Sequence, residues 1–379
     1  MENKKAQLNS MALYFCAYFS LGAFCPLLSQ YLSSIGFSGS QVGVVTSLGT
    51  LGAVVSGLFM GKLYANSNSK KLVIIVSFVL AAVLSLVSSL VRTFVLFAVS
   101  YFVLHSIQEP VHSLCDSMID SNGQNFAVIR SLGAVGYAVA SYTAGLVANS
   151  YGLKTIFYFN GVFYLLSALF VIREKEPPHY SNRQEKASIS DLFKEKKFVM
   201  LLIVAFFSLG STLANNTYYA YLYREAGGDV AGVGLAFLLM AGSEMVFMVL
   251  IPFFERRFPI QKLIAVAFAV AIIRFGIYAC GPSTGVLIGT FFLQGIMDGF
   301  LLVEMVKYFG RIVPPRLRSI AVTTYYALGS NFSAIICNLV GGVILDHFGA
   351  RGVYLFFTAL QFIALVLYFL FGLQKEIKK

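Results

Sequence analysis

One long polar segment divides this chain, and residues 173–197 read REKEPPHYSNRQEKASISDLFKEKK. Pro177 and Pro178 interrupt any continuous helix in its first half, where an unstructured hinge is an equal alternative. The later part, Ser190-Asp191-Leu192-Phe193-Lys194, mixes charged and apolar residues as a short amphipathic helix on a membrane surface does. Long apolar stretches lie on both sides of it. The segment therefore predicts a linker between two apolar halves.

The composition is that of a membrane protein. Of the 379 residues, 58% are hydrophobic and 12% are charged, with a mean hydropathy of +0.78. A soluble domain carries about 25% charged residues. A membrane-spanning helix needs about 20 predominantly apolar residues. Twelve such helices with short connections would use nearly the whole chain, so little is left for a soluble domain.

Turn-forming and charged residues separate the apolar stretches into six predicted spans before the linker and six after it. We predict an all-α membrane protein with twelve transmembrane helices in two pseudo-symmetric six-helix bundles. The predicted bundles are residues 1–173 and 198–379, joined by the linker 174–197. The predicted spans are 10–34, 41–65, 71–91, 94–119, 125–149, 154–172, 198–222, 231–253, 261–279, 284–306, 319–345 and 352–373.

Basic residues are distributed unevenly between the two sides of the predicted membrane. With both termini in the cytoplasm, 22 of the 28 Lys and Arg residues fall on the inner side. Only Arg92, Lys154, Arg224 and Arg351 fall outside. This is the positive-inside pattern. It predicts a multi-pass protein of the inner (plasma) membrane with cytoplasmic termini, and it explains the net charge of +11 without a nucleic-acid partner.

Several residue types are interpreted as structural. The five cysteines lie in apolar stretches without ligand spacing, so we predict buried thiols, no disulfide and no metal site. Four tyrosines close the seventh span and predict an aromatic belt at the membrane interface. No phosphate-binding loop or nucleophile constellation is present, so neither an enzyme nor an ATP-driven pump is predicted. The tyrosines are Tyr218, Tyr219, Tyr221 and Tyr223, and the cysteines are Cys16, Cys25, Cys115, Cys280 and Cys337.

Three charged residues inside the second set of spans are candidates for function. A charge at the centre of a membrane helix costs about 2.5 to 3.5 kcal/mol, so it needs a partner or a water-filled cavity. Glu244 on span eight and Asp298 on span ten have the same predicted depth, and Arg274 on span nine is long enough to approach both. We expect these three residues to form a cluster near the midplane.

A second cluster is expected in the first half. His112 and Asp116 are four residues apart on span four and share a helical face. Glu109 lies one turn further out, beside the helix-kinking Pro110, and Arg130 enters from span five at the depth of Asp116. These residues predict a polar site in the first bundle.

The buried charges do not balance. Four carboxyl groups face two guanidinium groups, and a low-dielectric site disfavours so many uncompensated negative charges. We therefore expect at least one carboxyl to bind a proton and to exchange it as its pairing with arginine changes. This expectation makes the proton the coupling ion, with no other cofactor. The alternative is a static salt-bridge network that only holds the helices together.

Particular strings resemble a known family. Six plus six spans with a basic linker resemble the major facilitator superfamily, and the strings narrow the resemblance to the oligosaccharide/proton symporter group that contains lactose permease. They are Tyr14-Phe15 to Pro26 in the first span, RSLGAVGY from Arg130 to Tyr137 in the fifth, Ile272-Ile273-Arg274 in the ninth, Val306-Lys307-Tyr308-Phe309 in the tenth, and DHFGARGVYL from Asp346 to Leu355 between the last two.

The resemblance implies a role for individual residues. Arg130 would bind sugar hydroxyls, and Tyr137 would replace the tryptophan on which a sugar ring stacks. Glu244 would join sugar binding to the proton site, while Arg274 and Asp298 would form that site.

The chain also departs from the group. His112 stands where an acid is expected, with Glu109 and Asp116 as substitutes, and Gln294 stands in place of a histidine. The chain has no Trp, so stacking on a sugar must rest on Tyr or Phe.

The resemblance and the buried charges predict a monomeric secondary transporter that alternates access by rocking its two bundles. We expect proton-linked import of a sugar or a similar small polar solute such as a nucleoside. A drug or metabolite exporter working as a proton antiporter is the alternative, favoured by 36 Phe and 21 Tyr. A scaffold or sensor without transport is disfavoured, because buried charges are costly unless they are used.

Overall fold

The computed structural model describes residues 2–177 and 189–375. Within these ranges the chain is helical and contains no β-strand. The protein consists of two compact units. The first comprises Met1–Ser181 and Gly228–Ala241, and the second comprises Asn182–Gly227 and Gly242–Lys379. The bundle boundaries at 173 and 198 stay a prediction.

The first unit contains six long helices, one at each predicted span. Their ends follow local signals: Ser38 and Gln41 form a capping box at the start of α2, with bonds of 3.2 and 3.1 Å, and Gly36 and Gly152 adopt positive φ where helices end. The helices are α1 (Glu2–Ser34), α2 (Gly39–Asn66), α3 (Lys70–Ser88), α4 (Phe94–Ser121), α5 (Phe126–Tyr151) and α6 (Thr155–Ile172).

Close approach of α1 and α5 organises this unit. A Cβ added at Gly22 would lie 2.7 Å from the Cα of Tyr137, and one at Gly133 would lie 2.6 Å from the ring of Tyr18. Both distances are too short for a side chain, so these glycines allow the helices to meet. Small residues serve this purpose in membranes, where lipid is as apolar as the helix surface.

The second unit begins with a short helix and continues with long ones. The tenth span contains one π-helical segment, and the eleventh span contains another. The helices are α7 (Ile189–Leu192), α8 (Lys196–Glu225), α9 (Val230–Glu255, whose first half belongs to the first unit), α10 (Ile260–Ala279), α11 (Thr284–Phe291), α12 (Leu293–Asp298), a π-helix (Gly299–Glu304), α13 (Met305–Ile312), α14 (Arg318–Thr324), a second π-helix (Tyr325–Phe332) and α15 (Ser333–Leu370).

Eleven helices in the described ranges are long and apolar enough to cross a membrane. The last, Ile320–Leu370, has 51 residues. At about 1.5 Å per residue it measures about 75 Å, more than twice a hydrocarbon core of about 30 Å. Gly349 breaks it with φ of 69°, and the Glu225 carboxylate accepts the Ala350 N–H at 2.8 Å, capping the next segment. Twelve transmembrane helices are thereby confirmed, and the last two meet at Gly349.

Carboxylates form hydrogen bonds near both ends of the linker. Glu174 is buried and accepts hydrogen bonds from Asn9 at 2.6 Å and from Ser10 at 2.7 Å. At the other end, α7 forms within the predicted amphipathic stretch, and Lys194 donates to Asp191 at 2.8 Å. That bond and the charge of Lys194 lower the pKa of the Asp191 carboxyl. The middle of the linker, 178–188, lies outside the described residues.

Candidate functional site

Arg274 is the centre of the site in the second unit. It lies on α10 and is 0% exposed. Three aromatic rings surround its guanidinium, with centroids at 4.6 Å for Phe291, 5.1 Å for Tyr278 and 5.5 Å for Phe275. Its Nε donates to the Tyr278 hydroxyl at 3.2 Å. Aromatic faces attract a cation, and a desolvated contact of this kind contributes about 2 kcal/mol.

Gln294 connects Arg274 to Asp298. The Nη1 of Arg274 donates to Oε1 of Gln294, whose Nε2 donates to Oδ2 of Asp298 at 2.9 Å. Gln294 and Asp298 are one helical turn apart on α12, so the two side chains share a face. No ion pair joins Arg274 directly to a carboxylate of the described residues. The expected pairing is therefore relayed through an amide, at the position where the resembled group has a histidine.

Glu244 completes the cluster from α9. Its carboxyl lies within hydrogen-bonding reach of that of Asp298. The helices come close enough because α12 has Gly295, where an added Cβ would lie 2.5 Å from the backbone of Ser243. Two carboxyl groups form a hydrogen bond only when one of them carries a proton. The predicted cluster of Glu244, Arg274 and Asp298 is present, with Gln294 as an additional member.

The charges of this cluster balance at one protonation state. Arg274 contributes one positive charge, and the Glu244 and Asp298 pair contributes one negative charge when it shares a single proton. Asp298 is 8% exposed and Arg274 fully buried, so an unbalanced charge is expensive here. The Nη2 of Arg274 has no hydrogen-bond partner. Both N–H groups of Nη2 therefore stay available to a further acceptor.

The first unit arranges its polar residues differently. Asp116 accepts a hydrogen bond from the Tyr14 hydroxyl at 2.6 Å. Arg130 is exposed, and its guanidinium lies 4.3 Å from the centroid of the Tyr18 ring. That ring lies 4.8 Å from the ring of His112. Within the predicted polar site, Arg130 and Asp116 form no ion pair. Two tyrosines lie between them instead.

The other predicted residues of this unit lie around that group. His112 is buried, and its Nε2 lies 3.4 Å from the Tyr164 hydroxyl. Glu109 is half-exposed and lies 4.0 Å from His105, which the sequence pattern did not single out. Tyr137 is partly buried. Its carbonyl accepts a hydrogen bond from Ser141 at 2.9 Å.

The sequence did not reveal the aromatic residues near Arg274, and one of them was assigned to a different role. Tyr219, predicted as a belt residue, is fully buried, and its ring lies 4.2 Å from that of Phe291. Tyr218 and Tyr223 are buried as well, so the belt interpretation is wrong for all three. The four-residue spacing of Arg274 and Tyr278, one helical turn, could have indicated an aromatic partner for this arginine. The cysteine prediction is wrong for Cys280, which is exposed.

Comparison with protein-family models identifies the family of this chain. The model described as the MFS_1 like family matches residues 8–356. The chain belongs to that family of major facilitator superfamily transporters. The multi-pass membrane transporter predicted from the spans and the sequence strings is thereby confirmed.

Individual relatives cover nearly the whole chain. Maltose permease of Geobacillus stearothermophilus is 30% identical over 351 residues, which cover 91% of this chain and 89% of the permease. Nucleoside permease NupG of Escherichia coli is 21% identical over 384 residues, covering 93% and 90% respectively.

A solved structure matches at the level of the fold. A crystal structure of nucleoside transporter NupG in a mutant form matches with a TM-score of 0.87 and 19% identity, over 98% of this chain and 100% of that one. At this identity the match supports the fold alone, and it agrees with the helical architecture described above.

Proposed function

We propose that this protein is a proton-coupled symporter that imports a sugar or a similar small polar solute such as a nucleoside. The observation that carries the proposal is the close approach of the Glu244 and Asp298 carboxyls beside the buried charge of Arg274. In this proposal the two carboxyls share one proton. Uptake or loss of that proton changes the net charge of a buried cluster by one unit. Such a change biases the conformation of a carrier, because a buried unbalanced charge is costly.

The first unit supplies groups suited to a hydroxylated solute. The guanidinium of Arg130 has several donors and no hydrogen bond to the described residues, so it is available to hydroxyl groups. The ring of Tyr18 gives an aromatic surface beside it. In this proposal Arg130 binds the solute, with contributions from His112, Glu109, Asp116 and Tyr137. From the second unit, Glu244 and Gln294 contribute to solute binding, and Arg274 and Asp298 hold the proton site with Glu244.

The class of solute is supported by the two kinds of relative. One is a permease named for maltose, and others are permeases named for nucleosides. Maltose and nucleosides are both neutral and carry hydroxylated rings. A monomer in the inner membrane, with both termini in the cytoplasm and no cofactor except the proton, completes the proposal and agrees with the distribution of basic residues.

The proposal is tested with the purified protein in liposomes under an inward proton gradient. We expect maltose or one of a panel of labelled nucleosides to accumulate, and accumulation to collapse when a protonophore removes the gradient. Active extrusion of lipophilic cations, with no accumulation of any solute in the panel, would replace the importer with the exporter.

A further inference from the structure

A second buried acid lies further along the tenth span. Glu304 ends the π-helix that follows Asp298, and it is 0% exposed. Counted as a carboxylate, neither of its oxygens accepts a hydrogen bond. A buried carboxylate without a donor is costly.

Glu304 has two charged neighbours, one on its own span and one on α9. The Nζ of Lys307 lies 2.7 Å from Oε1 of Glu255 and 3.6 Å from Oε1 of Glu304. The carboxyl of Glu255 also lies within hydrogen-bonding reach of Glu304. Lys307 is 40% exposed and Glu255 is 27% exposed, so both contact solvent while Glu304 does not. In the described part of the chain, these are the charged side chains that face Glu304.

This group repeats the charge pattern of the first cluster. Each pairs an acid of α9 with an acid of the tenth span, Glu244 with Asp298 and Glu255 with Glu304, and each has one cation. Two carboxylates and one ammonium leave a net negative charge in a partly buried site, and one proton neutralises it. A protonated Glu304 can donate to Glu255, which supplies the hydrogen bond that the carboxylate lacks.

We propose that Glu304, Glu255 and Lys307 form a second proton-binding site, separate from the Asp298 cluster, at the solvent-accessible end of the second unit. The position is at the basic end of the unit, beside Arg256, Arg257 and Arg311, which the charge distribution assigns to the cytoplasm. This inference rests on the proposed function for its role, because a proton leaving the first cluster for the cytoplasm needs an acceptor on that side.

The release step is a change of partner for Lys307. When the O–H bond of Glu304 breaks, the proton passes to the partly exposed carboxyl of Glu255 and from there to water, and the Glu304 carboxylate is left with a negative charge. The ammonium of Lys307 then moves about 1 Å, from 3.6 Å to hydrogen-bonding distance, and donates to Glu304. Reprotonation of Glu304 returns Lys307 to Glu255.

The test is an infrared pH titration of the reconstituted protein without solute. The wild type should show a carboxylic-acid band that is absent from Glu304→Gln and present in Glu195→Gln, a matched control at the same end of the unit. Glu304→Gln retains the bond between Lys307 and Glu255, and its amide can donate to Glu255 as the protonated acid does, so the variant is expected to fold. Absence of any difference band between wild type and Glu304→Gln at all pH values would overturn the proposal.

Two further variants predict opposite shifts of the same band. Glu255→Gln frees Lys307 for Glu304, so the band should disappear at a pH lower by about one unit or more, as expected for an opposite charge within about 4 to 6 Å. Lys307→Gln removes the cation, so the band should persist to higher pH. Unchanged titration in both variants would also overturn the proposal, since it would separate Glu304 from its two neighbours.

Transport assays distinguish a failure of the second proton site from a failure of the proposed function. Glu304→Gln should slow proton-driven net uptake by about 100-fold or more, as expected for loss of a proton-transfer group, while solute exchange continues. If the wild type moves no solute, the infrared titration still tests Glu304, and only the proposed function fails. If uptake is proton-driven and Glu304→Gln matches the wild type in both assays, the second site fails and the symporter stands.

Discussion

The arginines inside the spans of the two units have different surroundings. In the second unit Arg274 is fully buried, and hydrogen bonds connect it through Gln294 to Asp298. In the first unit Arg130 is exposed, and its guanidinium lies beside the ring of Tyr18. In the second unit the two N–H groups of the Arg274 Nη2 are left without a partner. In the first unit Arg130 donates no hydrogen bond to a described residue, so all of its donors are available. This difference is the reason that we propose the second unit for the proton and the first for the solute hydroxyls.

The comparison predicts its largest effect for Arg274→Gln. This change leaves the Glu244 and Asp298 pair with an uncompensated negative charge, which should lower the free energy of unfolding by about 3 to 5 kcal/mol. Arg130→Gln, in an exposed position, should change it by no more than about 0.5 kcal/mol. Thermal unfolding of both variants in detergent measures the difference. Equal losses of stability would show that exposure does not separate the two arginines.

Removal of the titratable group should separate coupling from binding. Asp298→Asn cannot exchange a proton, so gradient-driven accumulation should fall by about 100-fold or more while solute exchange partly continues. The matched change in the first unit, Asp116→Asn, should alter the half-saturating solute concentration and retain accumulation. Paired uptake and exchange assays in liposomes measure both. Accumulation that survives in Asp298→Asn and in Glu244→Gln would reduce the cluster to a structural network.

The available donors of Arg130 predict a loss of affinity. A hydrogen bond to a charged group contributes about 1.5 to 3 kcal/mol, so Arg130→Gln should raise the KM for the solute by about 10- to 100-fold. Arg92→Gln, in a predicted outer loop, is the control and should leave KM unchanged. Initial rates of uptake under a fixed proton gradient supply the values. An unchanged KM in Arg130→Gln would remove solute binding from the first unit.

The tyrosines between Arg130 and Asp116 predict a smaller effect. Tyr14→Phe removes the 2.6 Å hydrogen bond to Asp116 and should cost about 1 to 2 kcal/mol of stability. Tyr18→Phe retains the ring beside Arg130 and removes a hydroxyl that has no hydrogen bond within the described residues, so it should cost less. Chemical denaturation of the two variants compares them. A larger loss in Tyr18→Phe would mean that its hydroxyl, rather than its ring, serves the cluster.

The smallest effect is expected outside both clusters. Ser38→Ala removes the capping box of α2 and should lower stability by about 1 kcal/mol without changing KM or accumulation. Thr93 stands at the N-cap of α4 without a side-chain capping bond, so Thr93→Ala should have almost no effect. A shift in KM for Ser38→Ala would connect this helix end to transport.

The sequence predicted the fold better than the site. Spans were predictable because backbone groups in lipid must be satisfied within helices, so an apolar run of sufficient length has one outcome. The meeting of Glu244, Arg274 and Asp298 was predictable from depth, since each buried charge needs a partner. The hydrogen-bonded relay through Gln294 was not predictable. An uncharged side chain inside a span does not carry the high free-energy cost that marks a buried charge as needing a partner.

Aromatic residues show the same limit. The tyrosines that close the seventh span matched the composition of an interfacial belt, yet Tyr218, Tyr219 and Tyr223 are buried within the second unit. Tyrosine is amphipathic and suits both environments, so composition cannot distinguish them. Similarly, equal depth placed Arg130 opposite Asp116, but depth does not determine the direction in which each side chain points around its helix.

The sequence by itself determined that this chain crosses a membrane through twelve helices, since apolar length and the distribution of basic residues are local quantities that need no knowledge of packing. It also indicated charges inside the spans, of which Arg274 and Asp298 are buried and Arg130 is exposed. Only the tertiary structure decided what surrounds these charges: an amide relay and a neighbouring pair of carboxyls around Arg274, and an aromatic ring beside Arg130. Compensation depends on distances of a few ångströms between different helices, and only their packing sets those distances.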